Sequence, residues 1–428
     1  MKKIDQFSQN QGIFDRIRSN ISKIPLSPSL MNQKWALFTL SLCLFVDTAG
    51  YSMVLPLLPS FATHLGASPF TIGLIISMNA VTTMIFSPLW GKWSDKSGRI
   101  KPLLLSQVGT VISFALLAVS TNISMLFISR ILDGIFGGQA PIVKALFADV
   151  TTPEERRQKM GQLFFGVSLG IIVGPALGGF LGSINWMVPC LLAALLGACS
   201  IILTFKFLPD TRPFREKTLS PSYAGHLSHP ENNKYPEKSK LSIQTFLILL
   251  QIFLVNLAFS TINSSLPIYL DLRFSVGAEE IGFLYLLVGI EMLVFTGVIF
   301  KPLLRKIGEK KVFLFANLGM VLLFFLFPFL NQFWIMFVFM GIQIIFLLSI
   351  KPIIALNLAK KFPPAKQGTL NGWGVNAQYL AKILAPLITT FYLEIEYIGV
   401  LHSYFLIGWT SVVFCILLLL THVFDSRS

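Results

Sequence analysis

The sequence predicts an all-α integral membrane protein: twelve transmembrane helices in two pseudo-symmetric six-helix bundles around a central cavity. Three observations predict it. Of the 428 residues, 54% are hydrophobic and only 13% are charged, where soluble domains carry about 25% charged residues; mean hydropathy is +0.70. Apolar runs long enough to cross a bilayer, about 18 residues or more, recur along the whole chain. The second half of the chain also repeats the first at a nearly constant offset of 207–211 residues.

The elements follow in order. Residues 1–34 form a polar, basic arm without the short apolar core and cleavage site of a signal peptide, so span 1 is expected to act as the insertion signal. Spans 1 to 6 are expected at 35–58, 69–90, 102–121, 123–148, 161–182 and 186–207. Together they make an N-terminal bundle over 35–207. Residues 208–243 are rich in Pro, Ser, Asn and charge and read as a linker. Spans 7 to 12 are expected at 244–268, 280–300, 312–330, 333–357, 369–392 and 401–423, a C-terminal bundle over 244–423 with a tail at 424–428. Cys43, Cys190, Cys199 and Cys415 all fall within spans and read as small buried residues; no metal site and no cofactor is expected.

Lysine and arginine set the orientation. Of the 34 basic side chains, 29 fall in the arm, the tail and the loops on one side; the opposite loops hold only Arg273. Both termini are therefore expected in the cytoplasm, in a multi-pass cell (plasma or inner) membrane protein. The net charge of +14 reads as this topology signal, and no nucleic-acid partner is expected. Arg130, Lys144, Lys351 and Lys382 lie within spans.

The repeat is visible residue by residue. "SMVLPLL" in span 1 matches "SSLPIYL" in span 7, with Pro56 opposite Pro267. "TIGLIIS" in span 2 matches "EIGFLYL" in span 8. Gly134, Lys144, Gly161 and Pro175 pair with Gly341, Lys351, Gly368 and Pro386. Two six-span repeats fit a transporter whose site lies between the halves near mid-membrane.

Four segments carry a resemblance. "GKWSDKSGRIK" after span 2, with Gly91, Asp95, Lys96, Gly98 and Arg99, resembles the loop signature of the major facilitator superfamily. "SRILDGIFGG" resembles its arginine-bearing motif in span 4, and "GIIVGPALGG", with Gly170, Gly174, Pro175, Gly178 and Gly179, its antiporter motif in span 5. "VDTAGYSMVLPLLP" resembles the twelve-span drug:proton antiporters, tetracycline-efflux pumps in particular. The resemblance implies that span 5 meets span 8 across the two halves. It also implies that Asp95 caps span 11 near residues 367–369, and that Arg99 pairs with Asp149. Those contacts would form a cytoplasmic gate.

Glycine stands at 166, 170, 174, 178 and 182, every fourth residue of span 5. Each interior glycine costs a helix about 1 kcal/mol against alanine, but in lipid small residues let helices approach closely. The stripe is expected to meet span 8, with packing inside one half as the alternative.

Charges at mid-membrane are costly and default to function. Asp47 stands about 18 Å along span 1 at 1.5 Å per residue, at the expected depth of Arg130 and Asp133. These three and Glu291 are the candidates for proton coupling, structural ion pairing being the alternative for Asp47 and Asp133. Lys382 is the expected counterweight of Glu291. Lys144 and Lys351 are expected to snorkel to the interface. Tyr51, Gln139, Asn256, Asn263, Gln343, Asn376, Tyr379 and Lys382 are candidates for the cavity wall. The leading expectation is a monomeric exporter of amphipathic or cationic drug-like small molecules in exchange for protons. Export of a defined metabolite (a sugar, siderophore or lipid precursor) and a non-transporting sensor or scaffold are the alternatives. No nucleophile–base set or phosphate-cradling loop supports an enzyme.

Overall fold

The structure is a computed structural model and describes residues 30–208, 243–361, 364–397 and 403–427. The expected N-terminal arm and nearly all of the linker lie outside these residues, as do the side chains of 367–369. All the described elements are helices. Eleven of them are long and apolar enough to cross a membrane. The twelfth, Pro364–Tyr397, corresponds to span 11 and carries Asn371, Asn376, Gln378 and Lys382 in its apolar run.

Span 1 runs Leu30–Val54 and resumes as Leu58–His64; Pro56 and Pro59, which lack a backbone donor, fall at and just after the break. Span 2 is Pro69–Ser97, started by Ser68, whose hydroxyl accepts from the Thr71 amide, and stopped by Gly98 at φ 89°. Span 3 is Ile100–Ala118. Span 5, Pro153–Ile184, begins with a reciprocal cap between Thr152 and Glu155. Span 6 is Met187–Phe207 and span 7 is Ile243–Phe274. Span 8 runs Ala278–Val294, passes through a π-helical turn at Phe295–Ile299 and ends as Phe300–Ile307. Spans 9, 10 and 12 are Glu309–Leu326, Phe333–Lys361 and Ser403–Arg427.

Span 4 departs from the expected single helix. It is two helices, Ile123–Phe136 and Gln139–Asp149, broken at Gly137 and Gly138. A break inside a membrane frees carbonyls that must find donors. Here Trp90 Nε1 donates to Ile135 O at 2.5 Å, and Ser106 Oγ donates to Phe136 O. Gly138 is required by close approach, because a Cβ there would stand 3.1 Å from the Ser87 Cα.

The halves meet along two seams, span 5 with span 8 and span 2 with span 11. The seams are pseudo-symmetric. A Cβ on Gly73 of span 2 would stand 3.0 Å from Pro386 O of span 11, and one on Gly282 of span 8 would stand 3.0 Å from Pro175 O of span 5. Both glycines come from the repeated "TIG/EIG" segments, and both prolines are a repeat pair. The cross-half hydrogen bonds among the described residues, Phe70 N to Glu394 Oε2 at 3.0 Å and Ser77 Oγ to Ile383 O at 2.8 Å, join the start of span 2 to the second half of span 11. Nearer the basic loops, Gly161, Gly297 and Gly372 have nothing within 4 Å of a notional Cβ. Leu89 and Trp93, in the last third of span 2, are exposed. Among the described residues, the hydrogen bonds between the halves lie toward the end away from the basic loops.

The glycine stripe of span 5 faces span 1, which corrects the expected partner. A Cβ on Gly170 would stand 2.9 Å from Phe45 O and one on Gly174 2.8 Å from Ala49 O; those on Gly166 and Gly178 would strike Ser41 O and Met53 O, and one on Gly182 would meet Leu57. Ser41 and Ser52 of span 1 add hydrogen bonds to Gln162 O and Gly170 O, both at 2.9 Å. The physical reason is helical geometry: residues 172, 175 and 179 form a different stripe from 166, 170, 174, 178 and 182. Ile172, Pro175 and Gly179 are the residues that meet Gly282 and Gly289 of span 8.

Candidate functional site

A cavity of about 310 Å³ lies between the halves, lined from spans 1, 2, 5, 7, 8, 10 and 11. The repeat pairs Pro56/Pro267 and Pro175/Pro386 are all on its wall. A proline removes one helix hydrogen bond and permits a bend, so the repeat places a flexible point of four spans at one level. Span 8 presents Tyr285, Val288, Gly289 and Met292, one face at helical spacing.

Four of the eight expected wall residues line this cavity: Tyr51, Asn263, Gln343 and Lys382. Gln343 is 1% exposed and its Nε2 has no hydrogen-bond partner among the described residues. The Lys382 ammonium lies 5.6 Å from the centre of the Tyr379 ring, and the residue is exposed. Asn263 spends its amide on Phe259 O at 2.9 Å, within its own helix. The other four stand elsewhere. Asn256 is buried and donates to Ile252 O at 2.7 Å; Gln139 is buried in the N-terminal bundle; Asn376 is exposed; Tyr379 is half-buried, with the Lys382 ammonium 5.6 Å from its ring centre. Ser52, Ser260, Ser264 and Tyr285 line the cavity without having been expected. Span-wide apolarity gave them no distinguishing signal.

The candidate acids Asp47, Asp133 and Glu291 are not among the residues that line this cavity. Asp47 lines a separate void of about 10 Å³ inside the N-terminal bundle, with Gln107, Thr110 and Gln139. Gln139 Nε2 donates to Asp47 Oδ1 at 3.2 Å and lies 3.4 Å from Thr110 Oγ1. Gln139 is the first residue of the second half of span 4, so the carboxylate sits at a helix start, where the macrodipole favours an anion. Gln107, 2% exposed, gives its amide to Cys43, Ser200 and Thr204, while its Oε1 is left without a partner among the described residues.

Arg130 and Asp133 form a buried pair at 3.3 Å, one helical turn apart. Asn79 of span 2 donates to Asp133 Oδ2 at 2.8 Å. The Arg130 guanidinium lies 5.6 Å from the Phe114 ring centre; its Nε and NH2 have no partner among the described residues. Phe114 also borders the Asp47 void. Asp47 and Arg130 are thus neighbours across one ring, each with its own partner.

Glu291 does not pair with Lys382. It lies one residue off the cavity stripe of span 8, and its carboxylate packs at Gly341 of span 10, where a Cβ would stand 3.0 Å from Oε1. Lys351 does not snorkel: it is half-buried and lies 5.6 Å from the ring centre of Phe259, itself a cavity residue. Lys144 is exposed and lies 5.8 Å from the Phe164 ring centre. Cys199 is exposed, unlike the other three cysteines.

At the basic end, Arg99 bonds Asp95 at 2.7 Å and Asp149 at 3.2 Å. The Arg99–Asp149 contact is the one the loop signature implied. The expected contact of Asp95 with 367–369 falls on side chains outside the described residues.

Two six-helix bundles with a cavity between them define a membrane transporter and not an enzyme. The chain belongs to the Major Facilitator Superfamily, whose family model matches residues 40–386 and 248–427. It is 27% identical over 358 residues to the tetracycline resistance protein, class D, of Salmonella ordonez, covering 81% of this chain and 86% of that one. It is 26% identical over 291 residues to multidrug resistance protein 2 of Bacillus subtilis (strain 168), covering 67% of this chain and 71% of that one. Among solved structures, it is similar in fold to the human organic anion transporter MFSD10, with a TM-score of 0.65 and 24% identity over 92% of this chain and 100% of that chain.

Proposed function

We propose that the protein exports amphipathic, drug-like small molecules from the cytoplasm across a bacterial-type inner membrane in exchange for protons. The observation that carries the reading is the division between a largely apolar cavity joining the halves and the carboxylates of Asp47 and Asp133, held apart from it in the N-terminal bundle. The likeness to tetracycline and multidrug resistance proteins supports the substrate class. Both termini lie in the cytoplasm, on the side of the basic loops. Substrate enters between the halves, the seams at the far end part, and a contact of the Asp95 loop with the start of span 11 then holds the basic end shut. Asp47 carries the proton. It sits against Gln139 at the break of span 4, where a change in span 1 or span 4 alters the hydrogen bond between them. Arg130 and Asp133 fix the field around it. The residues 35–207 and 244–423 move as the two bodies.

The experiment is transport in proteoliposomes with an imposed pH gradient and an enclosed pH dye. A substrate that moves uphill and collapses the gradient faster than in protein-free vesicles supports exchange. Uphill movement that ignores the pH gradient, or no uphill movement of any drug-like compound, overturns it.

A further inference from the structure

We propose that the central cavity selects amphipathic organic anions, and that Lys382 and Gln343 are the two donors that hold the anionic group. The inference rests on that cavity being the substrate pathway, and it names the class of molecule the cavity takes.

Charge and hydrogen-bond accounting on the wall lead to it. Lys382 is the one charged side chain among the residues lining the cavity. It has no ion pair among the described residues, and its nearest described contact is the face of Tyr379. Gln343 is buried to 1% exposure with Nε2 unpaired. An unpaired buried amide donor is desolvated without compensation until an acceptor arrives. Lys351 adds a second positive charge behind Phe259. None of the nearby acids reaches the cavity: Asp47 faces its own void, Asp133 is bonded to Arg130 and Asn79, and Glu291 lies against Gly341.

A cationic substrate would therefore meet a cation on the wall with no carboxylate to answer it. An acid group finds one ammonium and one spare amide, and charge-assisted bonds of this kind are the strong ones. The rest of the wall suits the other end of such a molecule: Phe259, Met292, Met340 and the four prolines are apolar. The chemistry is that of a carboxylate, sulfonate or enolate on an aromatic or hydrocarbon body.

The test is binding to the full chain in phosphatidylcholine nanodiscs, with empty discs subtracted. Three fluorescent probes of similar bulk are used: 1-anilinonaphthalene-8-sulfonate as the anion, N-phenyl-1-naphthylamine as its uncharged relative, and ethidium as the cation. The sulfonate should bind at least about tenfold tighter than ethidium. Lys382→Gln should weaken the sulfonate about tenfold, and Lys382→Arg by less than about threefold. Lys382→Glu should reverse the order of sulfonate and ethidium, and Gln343→Leu should weaken the sulfonate alone. The uncharged probe should bind all these variants alike, which certifies an intact cavity. Equal sulfonate binding by wild type and Lys382→Gln, with the uncharged probe unchanged, overturns the assignment. Tighter ethidium than sulfonate binding by the wild type also overturns it, whether or not any variant folds. Sulfonate binding without pH-driven sulfonate movement in vesicles would sink the export reading alone.

Discussion

The two halves share a backbone plan and differ in where they put charge. In the N-terminal half, Asp47, Arg130 and Asp133 are withdrawn behind the cavity wall, each with at least one hydrogen-bonding partner. In the C-terminal half, Lys382 reaches into the cavity and Gln343 keeps an unused donor there. The seams, by contrast, are alike: Gly73 on Pro386 and Gly282 on Pro175. Symmetry therefore governs the surfaces that must open and close, which both halves share. Asymmetry governs chemistry, since two ligands that exchange need two different environments. Under the proposal, the proton belongs to the N-terminal half and the substrate to the C-terminal half.

The largest effect tests that division. Asp47→Asn keeps the shape and the hydrogen bond from Gln139 but removes the ionisable group. Drug accumulation against a gradient should fall to the level of vesicles without a pH gradient, while exchange of substrate for substrate continues and probe binding in the cavity is unchanged. Uphill transport by Asp47→Asn would move the proton site to Glu291 or Asp133. Loss of probe binding would instead show that the halves do not divide the work.

The second effect separates the seam from the stripe. Gly282→Leu puts bulk against Pro175 O and Gly179, between the halves, so it should wedge the far end apart and stop transport in a protein that keeps its thermal midpoint. Gly174→Leu puts bulk against Ala49 O and Ser52, inside one half. Overpacking of this kind costs about 1–3 kcal/mol, so this variant should lose yield and thermal stability first. The same midpoint for both variants would mean that the stripe is not a tight contact.

Much of the fold was legible because span length and the repeat are properties of sequence alone. Of the twelve expected spans, span 4 differs most, and its break was signalled by Gly137 and Gly138 before Pro141, a poor helix interior. The directions that side chains take were not legible. A helix apolar all round shows no face in its sequence. The stripe at 170 and 174 could therefore be seen, but not that it turns to span 1 while Pro175 turns to span 8. Asp47, Glu291 and Asn256 were found as polar residues at depth, and only the packing assigns them to a void, to span 10 and to their own helix. Asn79 went unnoticed because an asparagine among apolar residues of span 2 has no motif to mark it.

Asn79 supplies the third test. Asn79→Leu leaves Asp133 with Arg130 as its one partner among the described residues, in a site where both are buried. A buried acceptor that loses a donor costs about 1–3 kcal/mol. The thermal midpoint should fall, and the fall should shrink when Asp133→Asn is combined with it, because the two changes share one interaction. Additive losses would show that Asn79 acts through its other bond, to Arg130 O at 3.4 Å, instead.

The smallest effect lies outside the membrane, at the start of span 5. The Glu155 carboxyl is held below its ordinary value of 4.5, first by the Lys159 ammonium, then by the Thr152 amide and the Gln33 side chain. The bonds run 2.9 Å from Lys159, 3.2 Å from Thr152 and 3.0 Å from Gln33. Gln33 also donates to Val150 O at 3.0 Å, so the cluster ties the start of span 1 to the loop that follows span 4. A carboxyl with a lowered folded-state pKa contributes stability above its unfolded value and loses it as pH falls through the folded value. Stability should therefore hold from neutral pH down to about 4.5 and decline below that. Glu155→Gln keeps the cap shape without the charge, so it should be slightly less stable at pH 7 and show a flatter decline in acid. The measurement is the thermal midpoint against pH for the two proteins. Parallel curves would mean that Glu155 adds no charge-dependent stability and that the cap works through its neutral hydrogen bonds alone.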